Sequence, residues 1–493
     1  MFKRRFALGS AAVLALTIAI GAGSASAETL QDAIALAYQT NPTLLAQRAQ
    51  QRALDETYVQ ARVGLRPSLD ISASTNYDRV FADTSPPAGD SSSGSVGISL
   101  SQTLYSGGRI AHGINAAEAG VLQGRENLRN VEQQVLANVI QAYVDVQRDM
   151  EILRIRQENL QVLRRQLDEA SARFEVGEIT RTDVAQAEAR LAQSDADLAA
   201  AQAQLSVSRA AYAAVVGQAP TDLAPPPPLP GVPNDFDAAL DVGLVENPAL
   251  RAAEYSLVAA EARVARARAE YLPTARLSAS YGASDDLSNF DLTDRQSLSA
   301  TASISVPLFT GGLNRSQVVQ ALEEANAAQI NVEGARREVL REVSQAYAQV
   351  ISAASSLAAS EEQVRAARIA AEGVRQEAQV GLRTTLDVLN QELELRNAEV
   401  AAVSARRNQY VAQAQLLAAM GRLQGEDLVA SVEIYDPAEN FNAVRGRGAV
   451  PWEGLIETID RIAAPPIQPA NDQVDAPIDQ QLKSEIVRTA PGE

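Results

Sequence analysis

The side chains that could do chemistry are few, and they lie at two matching places in the chain. Thr180 and Asp183, and again Thr384 and Asp387, have the spacing of a helix capping box after a glycine turn. An aspartate there favours the N-terminus of its own helix, which is electrostatics and hydrogen bonding rather than bond-making. The chain has one histidine, His112, expected on a helix surface, and no cysteine. A hydrolytic triad or a zinc site is therefore disfavoured. Because no Walker-type phosphate loop occurs either, no cofactor is expected and energy must come from elsewhere.

The elements that position these residues occur twice, about 205 residues apart. Asn41-Pro42 recurs as Asn247-Pro248 at the start of a predicted helix. The further matches are Pro67 with Pro273, Leu104-Tyr105-Ser106-Gly107-Gly108 with Leu308-Phe309-Thr310-Gly311-Gly312, Tyr143 with Tyr347, and Gly217 with Gly421. The offset shifts by two residues only in a loop between predicted strands, which is where a folded duplicate tolerates insertion. One chain is therefore a duplicated unit.

Two proline-free segments rich in Ala, Leu, Gln, Glu and Arg predict very long helices at residues 109–175 and 313–379. At 1.5 Å per residue each would extend about 100 Å, so it must pack sideways against other helices. Gly177 and Gly381 end these helices, because glycine favours the helix C-terminus. Return helices are predicted at about 182–216 and 384–420. Each half is then a helical hairpin attached to a pair of strands.

Four segments alternate apolar and polar residues with the period typical of strands, at about residues 67–77, 95–104, 274–281 and 297–308. Such segments suit an outer-membrane barrel, with one face toward lipid and the other toward water. The alternative is a soluble sandwich, for which four strands in an otherwise helical chain are too few. They are also too few to close a transmembrane barrel, which needs about eight, so copies of the chain must pool their strands. The connecting loops suit extracellular exposure.

The N-terminus predicts export. Lys3, Arg4 and Arg5 precede an apolar run, and Ala27 completes a small-residue cleavage site, so residues 1–27 are interpreted as a signal peptide. No cysteine follows the site, which argues against an N-terminal lipid anchor. The formal net charge of -18, which includes the basic residues of the leader, argues against nucleic acid or an anionic membrane surface as a partner.

These observations divide the chain into five parts. A first repeat is predicted at residues 28–217, a proline-rich linker at 218–236 and a second repeat at 237–424. Residues 425–493 form a C-terminal periplasmic segment whose end, from about Ala464, is predicted to be disordered because its composition shifts toward Pro, Asp and Gln.

The chain resembles the TolC family of outer-membrane factors over nearly all of its mature length. The most specific matches are residues 173–184 and 377–388, which look like the family's helix-turn-helix tips, together with Gly107-Gly108 and Gly311-Gly312. The resemblance implies a homotrimer whose twelve pooled strands form a barrel in outer-membrane lipid, continuous with a coiled-coil helical barrel through the periplasm. It also implies two partners at the tips, a periplasmic adaptor (membrane fusion protein) and an inner-membrane transporter of the RND or ABC type.

The resemblance further implies a gate at the tips, held by polar links and narrowed by an acidic ring. The positions that match are Thr182, Asp183, Arg383 and Asp387. We hypothesise that Arg383 bonds Thr182 and Asp183 across helices and that copies of Asp387 constrict the pore. Gly177 and Gly381 would form the turns that the adaptor contacts.

The chain departs from the family pattern at two tip positions. Asn390 stands in place of a second acidic ring, and Ala378 stands in place of a tyrosine. The gate is therefore expected to be less negative and less tightly latched. For both Asp183 and Asp387, a helix-capping role stays open beside the gate role.

Three functional classes compete at this point. The first is an outer-membrane duct that passively conducts drugs or secreted proteins. The second is a soluble periplasmic coiled-coil adaptor or scaffold, which would keep the hairpins but would not use duplicated amphipathic strands. The third is an enzyme, for which the sequence offers no catalytic residues. The cargo of a duct cannot be read from the sequence, because specificity would lie in other chains.

Overall fold

The computed structural model describes residues 27–79, 90–289, 291, 293, 295–429 and 434–470. The predicted leader lies outside the described residues, except for Ala27. In chain order the elements are α1 (Leu30–Thr40), α2 (Pro42–Arg62), β1 (Ser68–Arg79), β2 (Asp90–Tyr105), α3 (Arg109–Glu175), α4 (Arg181–Val216), α5 (Phe236–Glu246), α6 (Pro248–Ala269), β3 (Thr274–Asp286), β4 (Gln296–Ser305), α7 (Leu313–Gln379), α8 (Thr385–Ala419), α9 (Gly425–Leu428), α10 (Pro437–Val444) and α11 (Glu453–Asp460). The order of two helices, two strands and two helices occurs twice, as the duplication requires.

The two long helices form the frame of the molecule. α3 and α7 have 67 residues each, and at 1.5 Å per residue each extends about 100 Å. α3 packs against α2 and α4, and also against α6 and α8, whereas α7 packs against α6 and α8. Across the described ranges, no helix is both long and apolar enough to cross a membrane. The contacts of α3 and α7 with their neighbours arrange the helices side by side as a wall.

The shorter helices of this wall meet end to end, and both halves use the same joint. Asn41 caps α2 by accepting from the amide of Thr43, and its Nδ2 donates to the carbonyl of Val215 at the end of α4 (2.9 Å). Asn247 caps α6 in the same way and donates to the carbonyl of Ala419 at the end of α8 (2.9 Å). Each asparagine thus satisfies exposed backbone groups of two helices at once.

The four strands form one antiparallel sheet in the order β1-β2-β3-β4. Ser68 pairs with Ser101 and Thr274 with Ser305 within the two strand pairs. The contact between the two repeats, β2 with β3, has a register shift between Thr103 and Tyr105. Serine hydroxyls meet across the strands on the polar face, in the pairs Ser68–Ser101, Ser74–Ser95 and Ser280–Ser299. Every residue of β1 and β4 is exposed, including Leu69, Ile71, Leu298 and Ile304. Among the described residues of one chain, therefore, nothing covers the apolar side chains of β1 and β4.

The strands differ from the sequence prediction at their ends. β1, β2 and β3 run further into the predicted loops. β1 and β2 remain paired as far as Arg79 opposite Asp90, where the side chains form an ion pair (3.2 Å), and β3 remains paired with β2 as far as Asp286 opposite Ser93. β4 is shorter than predicted and ends at Ser305. Pro307 lies just beyond that end and has no backbone N–H to donate to a neighbouring strand.

Glu28, the residue after the predicted cleavage site, is buried where the linker meets the first hairpin. Its N–H donates to the carbonyl of Asp222 (2.7 Å), and its carboxylate accepts from the hydroxyl of Tyr212. Tyr143 of α3 donates to the carbonyls of Glu28 (2.9 Å) and Ala224 (2.6 Å). The proline-rich linker is therefore bound to the wall at this point.

Helix α11 of the C-terminal segment packs on the first repeat. Asp460, at the end of α11, is buried and accepts from the backbone N–H and the hydroxyl of Ser106 (2.6 and 2.7 Å) and from the N–H of Ala111 (3.3 Å). Glu453, also buried, accepts from the guanidinium groups of Arg62 (2.7 Å) and Arg66 (2.9 Å). Helix α11 therefore binds the chain both just before β1, at Arg62 and Arg66, and just after β2, at Ser106.

Where this segment packs on the wall, the structure differs from two predictions made from the sequence. His112 is buried rather than on the surface, because the residues that follow α11 cover it. Residues 464–470 belong to the predicted disordered tail, yet they lie against the wall, where the N–H of Ala470 donates to Glu261 (3.2 Å). The remainder of that tail lies outside the described residues.

Candidate functional site

The candidate site comprises the two hairpin tips that join α3 to α4 and α7 to α8. Gly177 (φ 81°) and Gly381 (φ 80°) adopt the left-handed conformation that favours glycine. The N–H of Glu178 returns to the carbonyl of Arg173, and that of Leu382 returns to the carbonyl of Glu377 (both 2.9 Å). This pattern is a Schellman motif, which ends a helix and reverses the chain. A Cβ on either glycine would meet no atom within 4 Å, so backbone conformation alone requires glycine there.

Both return helices begin with the capping boxes that the sequence predicts. Asp183 accepts from the backbone N–H (2.9 Å) and the hydroxyl (2.7 Å) of Thr180. Asp387 accepts from the same two groups of Thr384 (3.0 and 2.8 Å). These hydrogen bonds hold the pKa of each carboxyl below its usual range, so both aspartates are ionised at neutral pH. Asp183 and Asp387 therefore each cap the N-terminus of their return helix.

Arg383 does not make the predicted bonds to Thr182 and Asp183 within one chain. Its Nε instead donates to Glu377 (2.8 Å), which lies on the other side of the same turn. The physical reason is proximity, since the turn brings the carboxylate of Glu377 next to Arg383. The first tip has a matching ion pair with the charges reversed, between Arg173 and Glu178 (3.1 Å).

A contact that joins the two hairpins lies just above the tips and was not found from the sequence. Arg190 of α4 donates to Asn390 of α8 (2.9 Å), so the residue that stands in place of an acidic ring accepts a hydrogen bond between hairpins. Within the second hairpin, Arg375 of α7 forms an ion pair with the buried Glu392 of α8. Arg190 and Asn390 are far apart in the sequence, so only hairpin packing shows that they are partners.

A groove of about 520 Å³ runs between the tips. Its lining includes Arg165 and Arg173 of α3 and Arg375 of α7, with the carboxylate of Glu169 among them. Below the groove the tips present exposed apolar side chains, which are Phe174, Val176, Val380 and Leu382. Over the described ranges, no group of acidic or histidine side chains could hold a metal ion. The site can therefore form ion pairs, hydrogen bonds and apolar contacts.

The fold and the tips together define a class of protein. The family model described as "Outer membrane efflux protein" matches residues 33–218 and 240–422, which are the two repeats. The chain belongs to this family, and it is accordingly an outer-membrane protein. The family consists of channel proteins, which sets aside the soluble adaptor that the sequence left open.

Individual relatives cover most of the chain. The outer membrane efflux protein BepC of Brucella suis is 36% identical over 455 residues, covering 92% of this chain and 98% of BepC. The outer membrane protein TolC of Vibrio cholerae is 29% identical over 412 residues, covering 82% and 93% of the two chains. The open-state crystal structure of the MtrE outer membrane channel of Neisseria gonorrhoeae superimposes with a TM-score of 0.67 at 26% identity, covering 80% and 89%.

Proposed function

We propose that the protein is the outer-membrane duct of an efflux or type I secretion machinery, assembled as a homotrimer. One observation carries this proposal: a four-stranded sheet with exposed apolar side chains is joined directly to helices about 100 Å long. Lipid does not tolerate unpaired strand edges, and among the described strands β1 and β4 are the two edges of the sheet. Three copies contribute twelve strands, which suffice for a closed barrel in outer-membrane lipid.

The partners follow from the two ends of the duct. The barrel end opens to the exterior, and the hairpin tips point into the periplasm. There the exposed Val176, Val380 and Leu382 offer an apolar surface to a periplasmic adaptor of the membrane fusion class. An inner-membrane transporter of the RND or ABC type supplies the energy, since the duct itself is passive. The cargo is a drug or a secreted protein that this transporter selects.

We place the gate at Arg383, Asp387, Thr182 and Asp183. In the single chain Arg383 is bound to Glu377 and is half exposed, so it can change partner without leaving a buried group unsatisfied. In the closed trimer Arg383 latches to Thr182 and Asp183 across helices, and three copies of Asp387 narrow the entrance. The capping boxes do not compete with this role, because a carboxylate has further acceptor positions.

Conductance of the detergent-purified protein in a planar bilayer tests both the duct and the latch. Wild type is expected to give small, cation-selective openings that grow markedly in Arg383→Ser. The matched control is Arg173→Ser, which removes the equivalent ion pair from the first tip and should leave the openings small. No conductance from any of the three proteins would contradict the duct. Equal growth in both variants would contradict a specific latch at Arg383.

Selectivity tests the acidic ring separately. Asp387→Asn removes one charge per chain at the constriction and should lower the preference for cations. Glu178→Gln removes one charge per chain from the first tip, outside the proposed gate, and is the matched control. A selectivity unchanged by Asp387→Asn would leave this aspartate with its capping role alone.

A further inference from the structure

The contact between the two repeats inside one chain is an ion-paired seam. It joins α3 of the first repeat to α6 and α8 of the second. Four pairs of opposite charge cross it, which are Arg109 with Glu270 (2.9 Å), Arg251 with Glu126 (4.0 Å), Arg407 with Asp145 (2.7 Å) and Arg396 with Glu158 (4.0 Å). They are spread over most of the length of α3, so the seam is charged from end to end.

The duplication specifies a second seam with the same geometry. Because α7 is the copy of α3, and α2 and α4 are the copies of α6 and α8, a neighbouring chain can place its α2 and α4 against α7. The positions equivalent to the four ion pairs are Leu313 with Gly64, Ile330 with Leu45, Gln349 with Ala203, and Glu362 with Ala192. Not one of the four pairs of opposite charge is kept in this second seam.

The exposed side chains of a single chain agree with a second seam on these helices. Leu45 (44%), Ile330 (54%) and Leu313 (57%) are exposed large apolar side chains, although they lie on helices of the wall. Val63 is also exposed, whereas Ala269, its equivalent beside the ion-paired seam, is buried. The charge pattern and the exposure pattern thus identify the same two faces of the chain.

We propose that these faces join one copy of this chain to the next through a seam that lacks the four ion pairs and is apolar along α2, with Ile330 of one copy packed against Leu45 of its neighbour and Leu313 beside Gly64. The inference rests on the proposed oligomeric duct and specifies the contact that builds it. The difference between the seams also prevents errors of assembly. An α3 face that carries charges cannot pack on the apolar α2 face of another copy without leaving those charges unpaired.

Cross-linking tests this pairing, since the chain contains no cysteine. The double variant Leu45→Cys/Ile330→Cys is treated with a short bismaleimide and run on a denaturing gel. It should yield covalent dimers and a closed covalent trimer, whereas each single variant should stay a monomer. The matched control is Arg251→Cys/Glu126→Cys, whose link forms within one chain and should leave the protein a monomer of altered mobility.

The same samples, before cross-linking, are measured for conductance. A conducting double variant that stays monomeric on the gel, while the control links internally, would overturn the proposed seam and leave the duct intact. A variant that neither conducts nor links, alongside a wild type that does not conduct, would count against the duct itself. Cross-linked dimers and trimers of Arg251→Cys/Glu126→Cys would show that the ion-paired seam also forms between chains, and this result would also overturn the proposal.

Discussion

The two repeats differ most where a strand runs into a long helix. In the first repeat this junction is covered by α11, and the buried carboxylate of Asp460 binds the N–H and hydroxyl of Ser106. In the second repeat no described segment covers the equivalent junction, and Leu308 (92%) and Phe309 (91%) are exposed. The duplication thus builds a nearly regular wall, and a segment that occurs once makes its two halves distinct. Local stability should therefore differ between two sequences that fold alike.

The largest expected effect tests this difference directly. Asp460→Ala removes the acceptor for three donors at the first junction, and we expect a loss of about 2–4 kcal/mol in the free energy of unfolding of that region. The measurement is the urea midpoint of the helical circular dichroism signal. Thr310→Ala, at the equivalent junction of the second repeat, is the control and should cost less than about 0.5 kcal/mol. Equal midpoints for the two variants would remove the proposed distinction.

The second effect compares the two seams. Ile330→Glu places a charge in the apolar seam and should weaken association by about 2 kcal/mol per seam. Adding Leu45→Arg recreates the pair that Glu126 and Arg251 form inside the chain and should restore the oligomer, now with salt-dependent stability. Heat resistance of the oligomer on gels at low and high salt measures both. If Leu45→Arg does not restore the heat resistance of the oligomer, the two seams do not have equivalent geometry.

The third effect tests whether the equivalent helix joints of the two repeats contribute equally to stability. Asn41→Ala and Asn247→Ala each remove a helix cap and a hydrogen bond to the helix below, at an expected cost of about 1–2 kcal/mol. Because the two joints have the same geometry, the two urea midpoints should shift equally. A shift confined to one variant would show that neighbouring elements support the other joint.

The smallest effect is a pH dependence present in one half only. Burial lowers the pKa of His112, with Arg461 acting in the same direction and Asp460 opposing it. A depressed folded pKa means that the unfolded chain binds the proton first, so stability is lost as pH falls below about 6.5. His112→Ser introduces the residue of the second repeat, Ser316, and should flatten the unfolding profile in this range. An unchanged profile would assign the acid sensitivity to other groups.

Local signals explain why much of the wall could be predicted. Proline-free runs, Asn-Pro starts and glycine ends are encoded within a few residues, and α3 and α7 begin and end where those signals place them. The strands were also found from their alternation, although their ends depend on pairing. Asp90, for instance, extends β2 because Arg79 lies opposite it.

Contacts between distant segments explain what could not be predicted. Asp460 caps α3 from the far end of the sequence, and His112 is buried by the same segment, so neither has a local signal. At the tips the turns and capping boxes were predictable from Gly177 and Gly381 and the residues that follow. The partner of Arg383 was not, because Glu377 competes with Thr182 and Asp183, and only the folded turn decides between them.

The serine pairs on the polar face of the sheet set a limit on what the bore can do. A hydroxyl such as that of Ser74 or Ser95 donates or accepts a hydrogen bond with equal ease, has no charge and occupies little volume. Such hydroxyls keep a channel wall hydrated and bind one uncharged solute as weakly as another. The same face also carries Asp70 and Arg276, so any ranking of solutes inside the barrel must come from charge rather than from these hydroxyls.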